Sequence, residues 1–93
     1  MPQKLLIFDI EAKLTLPRKA FPLSSYVRYY TGRIEKGHRI LLGSFLHRPK
    51  SAGVRIISKD KMFYVYDGGC SVVTLKYDID TNMLLSLFCN GEA

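Results

Sequence analysis

Apolar and polar positions alternate over residues 6–16. Leu6, Phe8, Ile10, Ala12, Leu14 and Leu16 fall on one parity, and Ile7, Asp9, Glu11, Lys13 and Thr15 on the other. Period two over this length predicts a long first strand, long enough to bend, which Pro17 ends. The pattern then changes. Pro22 suits the first turn of a helix, and Ser24 or Ser25 suits its cap. Leu23, Val27, Tyr30 and Ile34 follow at helical spacing, so a short helix is expected over residues 22–31, stopped at Gly32. Residues 33–50 admit two readings. Ile40, Leu41, Phe45 and Leu46 suit a second helix that Pro49 ends, the favoured reading, although Gly37 and Gly43 each weaken it by about 1 kcal/mol relative to alanine. The alternative is a strand over residues 39–47.

The C-terminal half reads as strands at 54–58, 61–66, 71–77 and 83–89, rich in Val, Ile, Phe, Tyr and Leu. Lys59-Asp60, Asp67-Gly68-Gly69 and Asp78-Ile79-Asp80-Thr81 supply the turns. Short connections make neighbours in sequence antiparallel. The expected fold class is therefore α+β: a four-stranded antiparallel meander plus an N-terminal strand, packed by one or two short helices. If the last turn spans Asp78 to Thr81, Tyr77 faces Asn82 and Cys70 falls opposite Cys89. The two cysteines then stand side by side as small apolar residues, or form a redox-sensitive bridge. Val73, Leu75 and Leu84 are expected on one face of these strands, and Val72, Leu85 and Leu87 on the other. One helical layer does not cover both, which leaves room for a homodimer or a partner surface.

A chain of 93 residues, 47% hydrophobic, is expected to form a single domain over 1–93 and lies far from disordered compositions. No apolar run approaches the ~20 residues of a membrane-crossing helix. Asp9 and Glu11 interrupt the N-terminal run before it becomes a secretory signal. The expectation is a cytoplasmic protein, in which a structural disulfide is uncommon.

The net charge of +6 is unevenly spread. From Lys13 to Lys61 there are 12 Lys and Arg against only Glu35 and Asp60, whereas both ends are slightly acidic. Such a central concentration is the pattern of a phosphate-facing surface. The series is Arg28, Arg33, His38, Arg39, His47, Arg48, Lys50, Arg55, Lys59 and Lys61, with Tyr26, Tyr29, Tyr30, Tyr64 and Tyr66 interleaved. Cations attract the phosphate backbone, and aromatic rings stack on unpaired bases, which RNA offers more readily than duplex DNA. The plain alternative is a solvated basic surface.

There is no phosphate-binding loop, dinucleotide fingerprint or metalloprotease helix. Two histidines and two separated cysteines do not make a zinc site, and Asp78 and Asp80 read as turn residues. No metal and no cofactor are expected. His38 or His47 could serve a metal-independent ribonuclease by deprotonating a 2′-hydroxyl, with Arg28 stabilising the phosphate.

The run Tyr26-Val27-Arg28-Tyr29-Tyr30-Thr31-Gly32-Arg33-Ile34, with Lys61-Met62-Phe63-Tyr64-Val65-Tyr66 and Val72-Val73-Thr74-Leu75, resembles small bacterial and phage-associated domains of the RelE and colicin-type ribonuclease toxins. The resemblance spans about two-thirds of the chain on loose motifs. It implies a helical segment followed by an antiparallel sheet, and RNA as the ligand. Many members place a histidine before the first helical arginine, where this chain has Leu23-Ser24-Ser25. Three functions follow as expectations. The first is RNA or other polyanion binding through Arg28, Arg33, Arg39, Arg48, Lys50, Arg55, Lys59 and Lys61. The second is a phage or host regulator that binds an acidic protein partner. The third is a metal-independent endoribonuclease.

Overall fold

The first apolar run folds on the helical period. In the computed structural model, which describes residues 3–65 and 67–91, Lys4–Glu11 is an α-helix, α1. Its buried positions are Ile7, Ile10 and Glu11, whose spacing of three and four places them on one face. Leu6, Ile10 and Leu14 recur every fourth residue as well as every second, so the pattern served both periods. A helix satisfies its own backbone groups and can lie across a sheet face, where an extended segment would leave them unpaired. The expected N-terminal strand is thus a helix, and the chain uncoils after it through Lys13 and Leu14, whose amides reach the carbonyls of Ile10 and Glu11.

The helix expected over residues 22–31 is mostly strand, and over residues 33–50 the alternative reading, a strand at 39–47, is the one that forms. Leu23–Ser25 is a single 3-10 turn, and Tyr26–Glu35 (β1) and His38–His47 (β2) form an antiparallel hairpin. Tyr, Val and Thr in β1 are strand formers. Their alternation was hidden because both sides of the strand are buried: Tyr26, Arg28 and Tyr30 on one side, Val27 and Thr31 on the other. Lys36 and Gly37 turn the hairpin with φ of 50° and 80°. Two left-handed residues in succession match the twist of the flanking strands. Gly43, which had argued only against a helix, has a packing reason in β2: an added Cβ would sit 2.9 Å from the Phe45 ring and 3.1 Å from both Leu75 and Tyr30.

After β2 the chain passes beneath the start of β1, with the Arg48 amide donating to the Ser25 carbonyl and a 3-10 turn at Pro49–Ser51. It then forms Gly53–Ile56 (β3), parallel to β1. Gly69–Asp78 (β4) pairs with β2, and Met83–Asn90 (β5) pairs with β4, both antiparallel. The class is α+β, with a five-stranded mixed sheet in the order β3-β1-β2-β4-β5, not a sequential meander. The expected strand at 61–66 joins no ladder over its described residues. Lys59–Lys61 is a 3-10 turn and residues 62–65 are irregular; Tyr66 lies outside the described residues.

The two faces have different covers. On the first, Ile7 and Ile10 of α1 pack with Tyr26, Tyr30, Leu41, Phe45, Val54, Val73, Leu75 and Tyr77 as the core, and Leu14, Leu16 and Ala20 continue the layer. Across the second, the segment after β3 returns toward β4. Phe63 meets the Tyr29 ring edge-on at 5.1 Å, and the Asn90 side chain donates to the Val65 carbonyl.

Bulges shift the β4–β5 register, so Asp78 faces Met83 and Leu87 joins Leu75 on the helix side. The expected Tyr77–Asn82 pairing and the assignment of Leu87 to the opposite face are corrected accordingly. Cys70 and Cys89 nevertheless meet and form a disulfide across 19 residues of sequence. Among the described residues no helix is long and apolar enough to cross a membrane.

Candidate nucleic-acid interface

The fold sorts the predicted cations into three groups. Arg28 belongs to the interior. It is 8% exposed on the helix side of β1, and its Nε donates to Glu11 Oε2 at 2.7 Å. Its Nη1 donates to the Leu23 and Tyr26 carbonyls at 2.9 and 3.1 Å. The Tyr30 hydroxyl donates to the same Glu11 oxygen at 2.7 Å. Burial, reinforced by the Glu11 carboxylate, pushes the Tyr30 hydroxyl far above the usual phenol range. Arg28 Nε and Nη1, Glu11 Oε2 and the Tyr30 hydroxyl all have partners, as charge taken out of water requires. Arg28 ties α1 to the sheet and presents no charge to solvent. Glu11 is the residue that sequence reasoning missed; its signal was an acid on the helical face shared by Ile7 and Ile10.

The second group stands at the β1–β2 turn and the adjoining β4–β5 turn, and is neutralised. Arg33 and Lys76 both pair with Glu35, and hydrogen bonds from Lys76 and Arg33 hold that carboxyl below its ordinary value. His38 Nδ1 donates to Asp78 Oδ2 at 2.6 Å. Arg39 donates to Asp80 from its backbone amide and from its Nε, at 2.6 and 2.8 Å. The hydrogen bond to Asp78 raises His38, and the one from His38 lowers Asp78. Arg39 and Asp80 shift apart for the same reason. Asp78 and Asp80, read from sequence as plain turn residues, are the acids that pair with His38 and Arg39. Asp78 also accepts from the Asp80 and Thr81 amides and so shapes its own turn.

The third group is Arg48, Lys50, Arg55, Lys59 and Lys61. All five are exposed, and among the described residues none forms a salt bridge. They occupy one continuous stretch that includes β3, the edge strand beside β1. Asp60 is the one acid within it, leaving a formal charge of +4 over residues 48–61. Arg55 rests only on the carbonyls of Val54 and Ser51, each at 3.3 Å. These contacts leave its charge uncompensated.

Aromatic side chains adjoin this edge. Tyr29 is the register partner of Arg55, and Phe63 packs against Tyr29. Tyr64, next in sequence, is half exposed. Cations and rings therefore share one border between the β3 edge and the second face. The remaining predicted rings do not reach it. Tyr26 and Tyr30 are fully buried on the helix side, and Tyr66 is outside the described residues. Phe63, not among the rings expected from sequence, is placed here by its contact with Tyr29.

The residues considered for catalysis do not converge. His38 and His47 stand at opposite ends of the ten-residue β2, about 30 Å apart at the ordinary strand rise. His47 is stacked on Phe21 with centroids 3.8 Å apart, and Arg28 is enclosed. No family model, no curated protein and no solved structure matches the chain. Fold and surface thus define a small α+β sheet domain with one cationic edge.

Proposed function

We propose that this protein binds single-stranded RNA along the β3 edge, without catalysis. One observation carries the reading. The five cations from Arg48 to Lys61 share the continuous segment that carries the β3 edge and have no acidic partner among the described residues, while Arg33, His38 and Arg39 near the hairpin turns are each paired with an acid. A phosphate backbone following the edge would release counterions at each contact. Tyr29, Phe63 and Tyr64 would offer ring surface to bases turned toward the second face. A single strand suits this arrangement better than a duplex, because stacking needs unpaired bases and, among the described residues, no helix stands at this edge to enter a groove.

Anisotropy of a labelled single-stranded RNA, titrated at several salt concentrations, tests the proposal. Binding that weakens steeply with salt is expected. The triple variant K50Q, R55Q and K61Q should lower affinity at least tenfold and reduce the slope of log K against log salt by about 2, at roughly 0.7 per lost contact. R39Q, at the neutralised end, should leave both unchanged. Absent binding at low salt, or equal losses in the two proteins, overturns the reading.

A further inference from the structure

The opposite edge of the sheet is built differently. β5 runs Met83-Leu84-Leu85-Ser86-Leu87-Phe88-Cys89-Asn90 and contains no charged residue, proline or glycine. It is the last strand of the sheet. Among the described residues no loop or helix donates a backbone hydrogen bond to its outer side. Met83, Leu84, Leu85 and Phe88 are 45–58% exposed. Edge strands of soluble domains are ordinarily blunted by shortness, by charge, by proline or by a covering segment. β3 follows that rule, with four residues, an initial glycine and Arg55. β5, at eight residues, has neither charge, proline nor a covering backbone segment among the described residues; its one irregularity is the bulge at Leu85, after which Ser86–Cys89 pair regularly with β4.

We propose that β5 pairs antiparallel with β5 of a second copy of this chain, joining two five-stranded sheets into one. The occupant follows from the chemistry of the edge. A charged partner strand would find no counter-charge on β5. What fits is an extended, uncharged strand with apolar side chains on both faces and a free row of amides and carbonyls, and β5 itself is such a strand. A two-fold axis near Leu87, in the regular stretch that follows the bulge at Leu85, brings Ser86 of one copy beside Phe88 of the other and the two Leu87 residues together. Opposed residues then lie on the same face, as an isologous contact requires.

Charge does not oppose the pairing, although each chain carries +6. In the joined sheet the two cationic β3 edges lie at the outer ends, nine strand spacings apart. At about 4.8 Å per spacing that is roughly 43 Å, several times the ~8 Å screening length at physiological salt. The strand is also fixed in advance. The Cys70–Cys89 disulfide and the Thr74–Asn90 hydrogen bond fasten its C-terminal end to β4, so less ordering accompanies association.

Sedimentation equilibrium of the full chain over a wide concentration range, with hydrogen exchange of the β5 amides, tests this independently of any RNA. The expected result is twice the chain mass, with β5 amides protected at high concentration and released on dilution. L85K and F88K each place a cation close to the two-fold axis at a half-exposed position. Each should raise the dimer dissociation constant at least tenfold while the circular dichroism spectrum stays that of the parent. A monomer at every concentration, or a dimer that persists in the combined L85K and F88K variant, overturns the proposal.

Discussion

At the scale of single residues, the Glu11–Arg28 pair has the largest energetic consequence. Both side chains are at most one-tenth exposed, and a charge left behind in that site would have neither water nor a counter-ion. Removing one partner of a buried pair typically costs about 3–5 kcal/mol, while replacing both by apolar groups of similar volume is near neutral. Arg28→Ala and Glu11→Ala should each lower the denaturant midpoint strongly, and a Glu11→Leu, Arg28→Met double variant should recover most of the loss; chemical denaturation measures all three. The His38–Asp78 pair acts at a different scale, because the imidazole is half exposed. Asp78 raises His38 above its ordinary 6.5, so the contribution of the charged ring is complete below that value and is lost as pH rises through the raised one. His38 lowers Asp78 from 3.8, so the carboxylate's share is complete above 3.8 and is lost as pH falls through the lowered value. The melting temperature of the parent should therefore decline from about pH 6 to about pH 9 more than that of His38→Gln. Parallel profiles would remove the pair from the stability of the turn.

At the scale of elements, the C-terminal hairpin has the clearest constraint. Its strands are joined at the closed end by Asp78 to Asn82 and at the open end by the disulfide. Closing a loop of 19 residues restricts the unfolded chain by an amount worth about 3 kcal/mol. Reduction, or Cys89→Ser, should lower the melting temperature measurably without changing the secondary-structure content; thiol titration under denaturing conditions reports the oxidation state. The elements also show which parts of the fold could be read from sequence. β4 and β5 were legible, because their strand formers are dense and their turns are marked by Gly and Asp. α1 was misread because a four-residue repeat is also a two-residue repeat. β1 read as a helix, and β2 stayed between helix and strand, because a strand buried on both faces loses its alternation. Gly43 weakened a helix reading in sequence and proved to be the space that Tyr30, Phe45 and Leu75 require.

At the scale of the whole molecule, the two sheet edges have separate characters. The β3 edge carries free cations and the β5 edge is apolar and uncharged, so an RNA site and a self-association site would not compete for the same surface. Salt separates the two: higher salt weakens phosphate contacts and leaves apolar strand pairing in place. The chain alone determined the α+β class, the strand-rich C-terminal half and the concentration of positive charge between Lys13 and Lys61, because these depend on residue type and local order. Only the tertiary structure decided which of those charges stay free. Arg28 meets Glu11 across 17 positions, His38 meets Asp78 across 40 and Arg39 meets Asp80 across 41. A charge is cancelled by whatever lies a few ångströms away in space, and the pairing of β1, β2 and β4 sets that distance, whereas a count along the chain does not.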